Sequence, residues 1–150
     1  MVILASRDHM EESTEVGMEG LEAMGVDIRR EGIEEKIERE MERALENISS
    51  MDLESTLDLP EMNDPHDKAI FSLLREVSVS SYYVPEALSR KVFEVFKLTT
   101  AKMVNLSLEK GSTETSAFAY CTFAVLLGPG MGDYRAMERI ADLGIKLAER

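Results

Sequence analysis

Apolar residues recur every three or four positions along most of this sequence, which is the spacing of amphipathic α-helices. Between Gly32 and Ile48 they form a single stripe, and glutamate and arginine fill the remaining positions. The segment from Pro85 to Lys110 is apolar on more than one side, so we expect it to be the central buried helix. The pattern predicts helices at about 9–24, 32–48, 65–79, 85–110, 113–127 and 133–150, with a short helical turn and a packed loop at 49–63.

The glycines and prolines mark the ends of these predicted helices. Asp64 and Pro65 are typical of an N-cap followed by proline at the first helical position. Gly111 follows Lys110, as expected where a helix ends in a left-handed residue. The Gly-Pro-Gly run at 128–130 predicts a turn between the last two helices. Consecutive helices joined by tight turns predict antiparallel hairpins.

These signals together predict an all-α fold of about five to seven helices. Small residues at Ala117, Ala124, Ala136 and Gly144 suit a close approach of the last two helices. We expect residues 9–150 to form one helical, repeat-like domain, and residues 1–8 to be disordered or foreign to the natural chain. The last apolar stripe has no terminating signal, so the domain is expected to belong to a longer array. The predicted core contains Val92, Phe93, Phe96, Met103, Leu106, Phe118, Tyr120, Phe123 and Ile140.

Charge and composition narrow the range of partners. The net charge of −12 disfavours nucleic acid and anionic membrane surfaces, because both require clustered lysine and arginine. Much of the acidity lies between Glu31 and Glu46, where seven of the sixteen residues are glutamate. There is no apolar run long enough to span a membrane and only one cysteine, Cys121. We therefore expect a soluble, cytoplasmic protein.

The usual catalytic and metal-binding patterns are weak in this sequence. His9 and His66 lack the spacing of metal ligands, and Cys121 has no nearby histidine to act as a base. Glu38 and Glu42 share a helix face, but a solvated face explains them better than a metal site. We expect no catalytic residue, no metal and no cofactor, and keep a metal enzyme that uses the acidic helix as a minor alternative.

Polar residues near the turn at Gly111 are the candidate binding residues. Asn105 and Ser107 precede the turn, and Ser116 and Tyr120 follow it, on two helices that should pack together. Such residues either bond to one another inside the protein or converge on a ligand.

Four segments resemble one family in order and spacing. They are Leu57–Pro65 (LDLPEMNDP), Met103–Gly111 (MVNLSLEKG), Ser116–Tyr120 (SAFAY) and Gly132–Tyr134 (GDY). They are similar to the helical, tetratricopeptide-like region of large multidomain signalling kinases of bacterial type. In that family the region follows a serine/threonine kinase domain and an AAA-type predicted ATPase domain, and it precedes GAF or histidine-kinase modules.

The resemblance implies a right-handed tetratricopeptide-like array and adds Tyr134 to the possible interaction residues. This sequence departs from the family at Ala124 and Met137, where glycine is common, and at Pro129. It contains no Walker-type loop and neither the His-Arg-Asp nor the Asp-Phe-Gly motif of kinases, so the family's enzymatic activities do not transfer to it.

Two functions are consistent with these residue patterns and with the resemblance. The first is a non-catalytic scaffold that links an ATPase switch to output domains, with neighbouring domains or partner helices as protein partners and a homo-oligomer as one possibility. The second is a free-standing helical-repeat module that binds a peptide or small ligand in a groove.

Overall fold

The computed structural model describes residues 2–29, 31–82 and 89–149, and this part of the chain is almost entirely helical. Its extended backbone amounts to one isolated parallel bridge between Glu61 and Ser112. The all-α prediction is therefore confirmed. The helices are α1 (Val2–Ala23), α2 (Ile33–Ser50), α3 (Leu53–Leu57), α4 (Pro65–Tyr82), α5 (Ser89–Lys110), α6 (Ser116–Val125) and α7 (Tyr134–Ala148), with a π-helical turn at Leu126–Gly130 between α6 and α7.

Two differences from the predicted helices concern the start of α1 and the Gly-Pro-Gly run. Helix α1 begins at Val2 and not near His9, because residues 2–8 contain no proline or glycine that would stop the helix. The Gly-Pro-Gly run does separate α6 from α7, but Leu126 and Leu127 are buried and the chain winds through Pro129 as a π-turn. The wider turn accommodates a residue that lacks an N–H.

Helix α5 is the centre of the fold, as the sequence predicted. It packs against α4, α2 and α6. Helix α1 packs on the outer side of α4. The two helices are antiparallel, because Thr14 hydrogen-bonds to Ser80 while Gly17, later in α1, contacts Val77, which is earlier in α4. Helix α7 covers α6 and also touches α2 and α3.

The prediction of antiparallel hairpins between consecutive helices holds for only part of the fold. Helix α2 runs parallel to α5, because Glu40 contacts Lys102 while Arg43 contacts Glu109. In the described part of the chain, α4 with α5 and α6 with α7 are the consecutive helices that pack most extensively, and α5 packs less extensively on α6. The tetratricopeptide-like arrangement therefore stays a prediction.

The predicted core is largely correct. Five of the nine residues are buried, and Leu106 is half-buried against them. Phe118 is the error: it is 41% exposed, because α6 turns the opposite side of the helix toward α5. The side chains of Val92 and Phe93 lie outside the described residues. The buried five are Phe96, Met103, Tyr120, Phe123 and Ile140.

Candidate functional site

Asn105 is buried, and both ends of its side-chain amide form hydrogen bonds inside the protein. Its Nδ2 donates to the backbone oxygen of Glu40 at 3.1 Å and to Glu40 Oε2 at 2.8 Å. Its Oδ1 accepts a hydrogen bond from Asn47 Nδ2 at 3.0 Å. The side chain therefore joins α5 to the acidic helix α2 and leaves no group free for a ligand.

The network extends along the same interface. Lys102 Nζ donates to Glu40 Oε1 at 2.9 Å, and Arg43 forms a two-point pair with Glu109. Burial raises the pKa of Glu109, but hydrogen bonds from Arg43 and Asn47 outweigh it and lower this pKa overall. The acidic helix thus packs on this core through its apolar stripe and a band of paired charges.

Ser107 and Ser116 also bond to each other. Their Oγ atoms lie 2.9 Å apart, and both side chains are buried. Ser116 Oγ in addition accepts a hydrogen bond from the backbone N–H of Thr113 at 2.8 Å. This pair fixes the turn between α5 and α6.

Tyr120 differs from the other three because its buried hydroxyl makes no hydrogen bond. The hydroxyls of Ser107 and Ser112 face it without completing a hydrogen bond. Burial raises the pKa of Tyr120 to about 12, so the phenol is neutral at physiological pH. Tyr134 lies apart from this group, exposed at the start of α7 beside Gly128.

An open cleft of about 390 Å³ lies beside the same turn. The loop Ser112–Thr115 forms one wall and α4 forms another, and the cleft also borders Met62 and Phe71, which are almost fully buried. Lys68, Ser72 and Arg75 line the α4 wall at intervals of four and three residues. This cleft was not among the sequence predictions, although the helical spacing of those three polar residues was a signal that they share a face.

The outer side of the α6–α7 hairpin exposes apolar side chains. Gly144 lies against Cys121 and the backbone oxygen of Ala117, and Gly128 lies against Met137, so the two helices run antiparallel in close contact. The residues on the outer side of this contact are exposed or half-buried, and Cys121 lies at the edge of the contact itself. We call them the apolar strip: Phe118, Cys121 and Val125 on α6, and Tyr134, Ala141 and Ile145 on α7.

Metal sites and membrane spans are not found in the described part of the chain. Among the residues with described positions, no three histidine, cysteine, aspartate or glutamate side chains come together as a metal site would require. In the same residues, none of the helices has the length and apolar character needed to cross a bilayer.

Comparisons with known proteins add no relative. No protein-family model matches the chain, and no curated protein or solved structure is detectably similar to it.

Proposed function

We propose that this chain is a non-catalytic helical interaction module whose apolar strip binds an amphipathic helix. The observation that carries the proposal is the exposure of Phe118, Val125 and Ile145, which are 41%, 63% and 54% accessible to solvent. Grouped apolar side chains of this kind are typical of interaction surfaces. An apolar face shared by two antiparallel helices suits a third helix packed against it.

Charge around the strip favours a basic partner helix. Glu138, Asp142 and Glu149 are exposed and follow the edge of α7 beside Ile145, at helical intervals of four and seven residues. Arg135, Arg139 and Lys146 also lie on α7, and Lys146 pairs with Asp142 at 3.2 Å, so the acidic groups are limited to the edge beside Ile145. The chain as a whole carries a net charge of −12. A helix with lysine or arginine beside its apolar stripe would complement this edge.

The resemblance to the helical region of signalling kinases supports a scaffold role of this kind. In such a protein the partner helix would belong to a neighbouring domain, and binding would couple the module to that domain. A cytoplasmic location and the absence of catalysis belong to the same proposal.

The test uses a designed helical peptide with leucine at every third or fourth position and lysine beside that stripe. We expect it to bind the full chain in fluorescence anisotropy more tightly than a matched peptide with glutamate in place of lysine. Val125→Glu and Ile145→Glu should each weaken binding by about tenfold or more, because a charge then faces apolar side chains.

Val16→Glu is the matched control, since Val16 is 67% exposed on α1, outside the strip. Equal losses in all three variants would mean that the peptide responds only to net charge, and the proposal would fail. Light scattering tests whether a second copy of the chain covers the apolar strip instead of a partner helix. A homo-oligomer that Ile145→Glu dissociates would show that it does.

A further inference from the structure

The outer face of α6 carries no charge. Residues 115–132 contain no aspartate, glutamate, lysine or arginine, although 31% of the residues in the whole chain are charged. The side chains that α6 exposes are Phe118, Cys121 and Val125, whereas those that α2 exposes are mostly glutamate and arginine. The centre of a protein interface is likewise depleted of charged residues. We therefore expect the apolar side of the partner helix to rest on α6, with its basic side chains toward the acidic edge of α7.

Two glycine contacts determine how α6 and α7 are aligned. A Cβ added to Gly144 would lie 2.8 Å from Cys121 Sγ and 3.3 Å from the backbone oxygen of Ala117. Gly128, near the opposite end of the pair, faces the side chain of Met137 in the same way. Because the two helices are antiparallel and have the same rise per residue, each step forward along α6 matches an equal step back along α7.

This alignment places small side chains at the middle of the apolar strip and large ones at both ends. Phe118 lies level with Ile145 at one end, and Cys121 lies level with Ala141 about one turn farther along α6. Val125 is exposed at the other end, about 10 Å from Phe118 along the helix axis. The Cys121 thiol is exposed and Ala141 is half-buried. The strip is therefore lower at its centre than at its ends.

We propose that the partner helix places one large apolar side chain, of the size of leucine or phenylalanine, over Cys121 and Ala141. This inference rests on the proposed helix-binding function and specifies the residue that the apolar strip selects. Side chains of one helix pack between those of another, so a large residue fits the low centre of the strip. Alanine at that point of the partner would leave a gap and lose those contacts. The complex then buries the Cys121 thiol.

The thiol provides the experiment, because Cys121 is the one cysteine in the sequence. Mass spectrometry measures the rate at which iodoacetamide alkylates the full chain, with and without a saturating amount of the leucine–lysine peptide. We expect the bound peptide to slow alkylation by about tenfold or more, because it shields the thiolate from the reagent. The matched control carries Val16→Cys together with Cys121→Ala, which moves the thiol to an exposed position on α1. Its alkylation rate should not change when the peptide is added.

A peptide series locates the contact without using the thiol. The peptide for this series has three leucines that match the spacing of Phe118, Cys121 and Val125, and each leucine in turn is replaced by alanine. The central replacement should weaken binding by about tenfold or more and each terminal one by less than about threefold. Binding without protection of Cys121, or equal losses at all three positions, would overturn this proposal and leave the helix-binding function standing. Failure of every peptide to bind would overturn both.

Discussion

At the scale of single residues, the polar side chains beside the Gly111 turn divide into two kinds. Asn105, Ser107 and Ser116 hold helices together through hydrogen bonds. Tyr120 brings a buried hydroxyl to the same place and makes no hydrogen bond. A buried hydroxyl without a partner has lost its hydration without compensation. The aromatic ring, which is fully buried in the core, is thus the stabilising part of Tyr120.

This difference predicts opposite results from two substitutions. Tyr120→Phe should leave the free energy of unfolding unchanged or raise it by up to about 1 kcal/mol, because it removes the unpaired hydroxyl. Asn105→Ala should lower it by about 1–3 kcal/mol, because Asn47 and Glu40 then lose their buried partner. Urea denaturation followed by circular dichroism measures both. A loss for Tyr120→Phe as large as that for Asn105→Ala would mean that the hydroxyl is satisfied in solution.

At the scale of helices, glycine sets the distance between α1 and α4. Gly17 faces Val77 so closely that a Cβ would collide with the valine side chain. Gly20, one turn later, leaves an ordinary contact distance of 3.4 Å to Leu73. Both glycines cost helix propensity, but only Gly17 is required by packing.

Two alanine substitutions in α1 should therefore differ in sign. Gly20→Ala should raise the free energy of unfolding by up to about 1 kcal/mol through helix propensity. Gly17→Ala should lower the free energy of unfolding by about 1–2 kcal/mol, because the cost of overpacking against Val77 exceeds the gain in helix propensity. Thermal denaturation of the matched pair measures the difference. Equal stabilisation by both would show that α1 sits farther from α4 in solution than the structure places it.

At the scale of the whole molecule, stability should follow the packing order of the helices. Helix α5 is enclosed by three others, whereas α1 packs mainly on α4 and exposes residues such as Val16. Regions with few buried contacts open at lower free energy than the core.

Hydrogen exchange measured by mass spectrometry should reveal this gradient. We expect amides in the 96–107 part of α5 to exchange slowest and those of α1 to exchange fastest among the helices longer than two turns. Protection of α1 equal to that of α5 would contradict this order and indicate that the fold opens as one unit.

The residue patterns were sufficient to predict the helical class, the central position of α5 and most of its core, because helical periodicity and capping residues are local properties of the sequence. They could not predict that α2 runs parallel to α5, or that Asn105 bonds to Glu40, since each depends on residues more than sixty positions apart. The core prediction fails at Phe118 for the same reason: periodicity identifies an apolar position but not the side on which a neighbour lies. Only the tertiary structure brings α4 to the Ser112–Thr115 loop and leaves the apolar strip uncovered, because both surfaces depend on how distant helices pack.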